Sequence, residues 1–177
     1  METPPLWEWS VAFHAQPGAE RALLTLQDDH GLDVPVMLWC LWVGLHFAEP
    51  DSATLTRAMA VGTSWRNKVI APLRSARRAL KAGIEGVTDE ALRAQVKDAE
   101  LAAERAALMA LDALARHRAP PPPDSDGVAR ARRMLAAYGR RAGAAETPGF
   151  SIALLEELVG LTVRRPIPGA SRNPRDP

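Results

Sequence analysis

The chain has 177 residues, 47% of them hydrophobic and 24% charged, with a formal net charge of +1. Those fractions exclude wholesale disorder, and the length suits one domain, or one domain with a small appendage. A single cysteine excludes a disulfide framework and gives no reason to expect an oxidising compartment. Near-neutral charge argues against a bulk nucleic-acid binder, while leaving room for a local basic patch.

Alanine and leucine make up about 30% of the residues, which favours helix. No stretch alternates β-branched residues with a period of two, so the fold is predicted to be all-α. The start, Met1-Glu2-Thr3-Pro4-Pro5, has neither the basic nor the apolar part of a secretory leader. The most apolar run, 34–47, is about 14 residues, short of the ~20 needed to cross a bilayer. A buried core helix and a cytoplasmic protein are expected, with no membrane span.

Taken in chain order, Thr3 caps a first helix with Leu6, Trp9 and Phe13 on one face. Gln16-Pro17-Gly18 breaks the chain, and a second helix runs over 19–28 with Leu23 and Leu26 inward. Gly31 suits a left-handed C-cap, and Asp33 is placed to cap the third helix. That helix is apolar on every side, from Val36 to Leu45, and is predicted to lie at the centre of the bundle. Asp51 caps a short fourth helix ending near Gly62. Ser64 is expected to cap a fifth helix to Lys81, with Trp65, Val69, Leu73, Ala76 and Leu80 inward and a kink at Pro72. After a loop at 83–86, Thr88 caps the longest helix, 89–116, roughly 40 Å at 1.5 Å per residue.

Pro120–Pro123 then forms a stiff spacer over 119–125. Beyond it an amphipathic helix spans 126–141, with Val128, Ala131, Leu135 and Tyr138 on one face, and a short helix over 151–159 closes at Gly160. The resulting division is a bundle of about six helices over 1–118, the spacer, a small helical C-terminal extension over 126–165, and a disordered tail over 166–177.

Charge is unevenly spread. Residues 1–50 carry −6, 51–87 carry +5, 88–118 carry −1 and 119–177 carry +3. Opposite signs in neighbouring segments predict ion pairs between the first helices and the fifth. The densest polar cluster is Gln27-Asp28-Asp29-His30-Gly31-Leu32-Asp33. Its carboxylates are able to hold a hard cation or supply acid–base groups, but their spacing matches no EF-hand or zinc motif, and capping with ion pairing is the expected role. No metal or cofactor is called for.

The fifth helix carries a basic stripe: Arg66, Arg74, Arg77 and Lys81 recur at helical steps beside the apolar seam, with Arg78 and Lys68 further out. Guanidiniums in a row can hold carboxylates or phosphates. Arg66 and Arg74 are expected to pair with Asp28, Asp29 or Asp33, because a bulky charge beside Trp65 needs a partner. Arg77, Arg78 and Lys81 suit either a partner-binding face or plain solvation. Arg130, Arg132, Arg133, Arg140 and Arg141 form a second basic surface. All five tryptophans lie within the first 65 residues; core packing is their expected role, Trp7 being the one predicted to be exposed. Cys40 reads as an inert core thiol. His14, His46 and His117 receive no role, and there is no phosphate loop or nucleophile elbow.

The string Leu26-Gln27-Asp28-x-x-Gly31-x-Asp33-Val34, then Leu38-Trp39-x-Leu41-Trp42, preceded by Leu6-Trp7-x-Trp9-Ser10 and followed by Trp65-Arg66-x-x-Val69-Ile70-x-Pro72-Leu73-Arg74, resembles a family of small uncharacterised bacterial all-helical proteins with a domain of unknown function. The resemblance covers about 6–116; that family usually has Asn where this chain has Pro35. It implies no activity or cofactor. It implies that Gln27, Asp28, Asp33, Trp42, Trp65, Arg66, Pro72 and Arg74 act as one unit.

Two functions follow. The first is a non-catalytic interaction or regulatory protein that binds a protein partner through Arg77, Arg78, Lys81 and the C-terminal arginines. The second is an enzyme or binder of a small anionic ligand, its pocket lined by Gln27, Asp28, Asp33, Trp42, Arg66 and Arg74. A homo-oligomer through the alanine-rich long helix is also possible on this pattern, and nucleic acid ranks third.

Overall fold

Ten of the thirteen residues of one helix, Val34–His46, are buried, which requires neighbours on all its sides. A computed structural model describes residues 3–122 and 125–164. The helices are α1 (Leu6–His14), α2 (Ala19–Asp28), α3 (Val34–His46), α4 (Ser52–Trp65), α5 (Ala71–Ala82), α6 (Glu90–Ala115), α7 (Gly127–Arg141) and α8 (Ile152–Arg164). A π turn, Arg66–Ile70, joins α4 to α5. The fold is all-α; among the described residues there is no strand, only an isolated antiparallel bridge, Ile84 to Val87, at the α5–α6 turn. The disordered tail expected over 166–177 lies outside the described residues.

The central position expected for α3 is what the structure has. Trp39, Trp42, Met37, Leu38 and Leu41 are fully enclosed, with α7, α6, α4, α2 and α1 around them. The closest approach is to α7. A Cβ on Gly44 would lie 2.3 Å from the Ala131 Cα, so the crossing exists only because α3 has glycine there. Ala131, Met134, Leu135 and Tyr138 of α7 and Leu155, Leu158 and Val159 of α8 belong to the same buried cluster as α3.

Several local expectations change. Helix α1 starts at Leu6 with Pro5 as its N-cap residue, not at Thr3. Asp51 does cap α4, accepting from the Thr54 N–H at 2.8 Å. Ser64 caps nothing: the helix runs on from Ser52 through the π turn to Ala82. The interruption expected at Pro72 takes the form of that π turn. Proline has no N–H to give and its ring crowds the carbonyl four residues back; one turn of wider bonding, with the Ala71 N–H reaching the Arg66 carbonyl, relieves this. Asp89, not Thr88, caps α6 through the Leu92 N–H. Gly160 does not close the last helix, because Leu161 and Thr162 beyond it are buried and hold the helix in register.

Helices α5 and α6 form an antiparallel arm. No residue of α5 is buried, whereas the second half of α6 sinks Ala107, Leu108 and Leu111 into the body. Trp65, Val69 and Leu73 pack half-buried against Ile70, Ala103 and Ala107 at the arm's root. Ala76, expected inward, is exposed, since α6 alone faces α5 there.

Candidate functional site

The N-terminus of α3 and the π turn meet as the charge pattern predicts. Asp33 is 6% exposed, and its carboxylate faces the Arg66 guanidinium at 3.8 Å. Arg66 also leans on the Gly31 carbonyl, and the Asp33 N–H donates to the Tyr138 hydroxyl at 2.7 Å. Asp33 stands at the N-cap position of α3 but makes no capping hydrogen bond, and its Oδ1 has no hydrogen-bond partner among the described residues. Burial pushes its pKa up, against the pull of Arg66, the Val36 amide and Arg74. Gly62 makes the meeting possible: a Cβ there would strike Val36 at 2.4 Å and crowd the Asp33 oxygen.

The rest of the stripe turns the other way. Arg74 does not reach Asp28, Asp29 or Asp33. Its Nε donates to Glu100 at 2.8 Å and its Nη2 to Glu104 at 3.0 Å, both on α6. The Arg77 Nε donates to the other Glu100 oxygen at 2.5 Å. Burial works to raise the Glu100 pKa, but the hydrogen bonds and charges of Arg77 and Arg74 outweigh it and hold the carboxyl below its usual range. Glu104 goes the other way, its burial outweighing Arg74. Glu100 and Glu104 were not singled out from the sequence. Their signal was there: two acids one helical turn apart, on a helix that a short turn folds back onto two arginines.

The remaining candidates separate. Arg78 and Lys81 are exposed on the outer face of α5, and Lys68 on the π turn; none has an ion-pair partner among the described residues. Gln27 donates to Asp28 at 3.0 Å, and Asp28 sits in a shallow groove on α2 with Glu20, Leu24 and Asp29. Trp42 is enclosed, donates its Nε1–H to the Pro4 carbonyl and packs edge-on against Phe47. Trp7, expected exposed, is half-buried beneath the Arg105 guanidinium, 5.6 Å from its ring centroid, because α1 lies against α6. Gln27, Asp28 and Trp42 therefore do not join Asp33, Arg66 and Trp65.

The second basic surface is largely taken up within the chain. Arg132 pairs with Glu156, Arg133 with Glu49, and Arg141 bonds the Ser52 carbonyl and hydroxyl. Arg130 is buried, not on the surface, and donates to the Gly44 carbonyl at 3.0 Å. Cys40 is enclosed, and burial pushes its thiol pKa far up. Among the described residues no group of three or more histidines, cysteines or acids is placed to hold a metal ion, and no helix is long and apolar enough to cross a membrane.

A family described as "Protein of unknown function (DUF2390)" matches residues 5–111, more than half of the chain. The chain belongs to that family. Neither a curated protein nor a solved structure matches it. The DUF2390 region takes in α1 to α5 and most of α6, and so contains Asp33, Arg66, the π turn and the arm; α7 and α8 lie beyond it.

Proposed function

We propose that the protein is a non-catalytic cytoplasmic interaction protein, and that the arm formed by α5 and α6 docks onto an acidic surface of a protein partner. The observation that supports this most directly is the division of labour along α5. Arg74 and Arg77 are spent on Glu100 and Glu104, whereas Arg78 and Lys81, on a helix that buries none of its residues, and Lys68, on the π turn before it, are exposed and have no ion-pair partner among the described residues. The arm ends in exposed apolar side chains, Ile84 at 55% and Val87 at 69%, with Leu92 beside them at 44%. Apolar contact flanked by unpaired charge is the composition of a docking surface.

The small-anion reading at Asp33 and Arg66 has less behind it. Two surface cavities among the described residues, one on α2 and one at the α3–α7 junction, are lined by neither Arg66 nor Arg74.

The test is recovery of partners from the host lysate by the full chain and by the double variant Arg78→Glu, Lys81→Glu. These residues are solvent-exposed and have no ion-pair partner among the described residues, so the variant should fold as the parent does. An acidic partner that the parent retains and the variant loses, with retention falling as salt rises, is the expected result. A partner recovered equally by both proteins removes the arm from the proposal.

A further inference from the structure

Helix α6 has one face turned inward and one turned to water along its length. Glu100, Ala103 and Ala107 face α5 and the root of the arm. On the other side Ala94, Asp98, Leu101, Ala102, Arg105 and Met109 recur at helical steps, and all six are exposed. Leu101 is 46% exposed and Met109 60%. The apolar edge continues onto α1, where Trp7 lies beneath Arg105 and Val11, one turn further on, is exposed.

Two charges stand on this face, one of each sign and two turns apart. Neither is answered along its own helix. Three and four residues from Asp98 lie only Ala94, Gln95, Leu101 and Ala102; from Arg105, only Leu101, Ala102, Leu108 and Met109. Among the described residues neither makes an ion pair, and Arg105 rests on the Trp7 ring and not on Glu8 beside it.

The face matches itself when turned end for end. Asp98 and Arg105 each lie three and a half residues from the point between Leu101 and Ala102, which is one residue from the middle of α6 (Glu90–Ala115). A two-fold axis through that point sets Asp98 of each copy opposite Arg105 of the other, and Met109 opposite Ala94. Parallel pairing would set Asp98 against Asp98. Alanine at positions 94 and 102 lets two helices approach to about 8 Å, the close end of helix packing.

We propose that this face of α6 is the interface of a two-fold dimer, the second copy's α6 lying antiparallel across it with two reciprocal Asp98–Arg105 pairs and the apolar side chains covered between them. A two-fold interface presents the same patch from both sides, so it needs a patch whose charges complement themselves on rotation, and this one does. The basic face of α5 lies across α6 from this one, and neither proposal depends on the other.

The experiment is sedimentation equilibrium of the purified full chain over a range of concentrations. A species of twice the 19.2 kDa mass of one chain is the expected result. Asp98→Arg and Arg105→Glu each set like charges opposite one another at both ends of the contact, and each should raise the dimer's Kd at least about tenfold. The double variant Asp98→Arg, Arg105→Glu restores opposite charges and should return Kd to near that of the parent. Leu101→Glu brings two carboxylates together at the axis, leaves Arg105 on Trp7, and should abolish the dimer. A chain that stays monomeric throughout overturns the proposal, as does a dimer that Leu101→Glu or either single reversal leaves unweakened. Single reversals that weaken the dimer without recovery in the double variant refute the antiparallel pairing.

Discussion

His46 makes the protein's stability depend on pH in a direction and size that follow from where the ring lies. It sits near the end of α3, 8% exposed, its ring centroid 6.2 Å from that of Trp42, with no hydrogen-bond partner for its Nε2 among the described residues. Burial lowers its pKa from 6.5 to about 4. The unfolded chain therefore takes up a proton from this side chain first as pH falls. The stabilising contribution is complete above pH 6.5 and is lost progressively down to about pH 4. At 1.36 kcal/mol per pKa unit, the loss is about 2 kcal/mol between pH 7 and pH 5 and about 3 kcal/mol by pH 4. That is a large share of the roughly 5–15 kcal/mol that holds a domain folded. The assay is urea unfolding followed by tryptophan fluorescence from pH 7 to pH 4, on the parent and on His46→Phe. The variant should show a shallower fall over this range by that amount, whatever its absolute stability. Parallel pH profiles would refute the reasoning, since carboxylates titrate in both proteins and only the imidazole differs.

Gly44→Ala should force α3 and α7 apart, because the new Cβ would overlap the Ala131 backbone. Overpacking of this kind costs about 1–3 kcal/mol or more, and a fall in melting temperature of several degrees in differential scanning calorimetry is expected. Glu100→Gln should cost about 3 kcal/mol in urea unfolding at pH 7, the lower end for breaking a buried pair, because Arg74 and Arg77 remain 29% and 27% exposed. The depressed Glu100 pKa places that contribution above the ordinary glutamate range, so it should fade as pH drops below about 4, and the variant should be less acid-sensitive than the parent.

The parts of the fold that rest on local pattern were legible in the chain itself. An unbroken apolar helix can only be central, and α3 is. The caps at Asp51 and the turn at Gly31, with its φ of +69°, depend on neighbours in sequence and were predictable for that reason. The pairing of Asp33 with Arg66 was legible too, because segment charges of opposite sign and the need of a charge beside Trp65 both pointed to it. The π turn was visible only as a disturbance at Pro72. How the chain accommodates a proline depends on the packing of the surrounding helix, and here that packing favoured continuity over a break at Ser64.

Composition and periodicity alone determined that this is an all-helical protein built around α3, with a basic stripe on the helix after it. Which acid each arginine meets was decided in three dimensions. Arg74 and Arg77 turn to Glu100 and Glu104 because the α5–α6 turn brings α6 alongside them, at a distance in sequence that no helical repeat encodes. Arg130 reads as one of several surface arginines until Gly44 admits α7 so close to α3 that its guanidinium is enclosed. A repeat reports which face of a helix is apolar, but only the crossing of two helices decides which charges are enclosed.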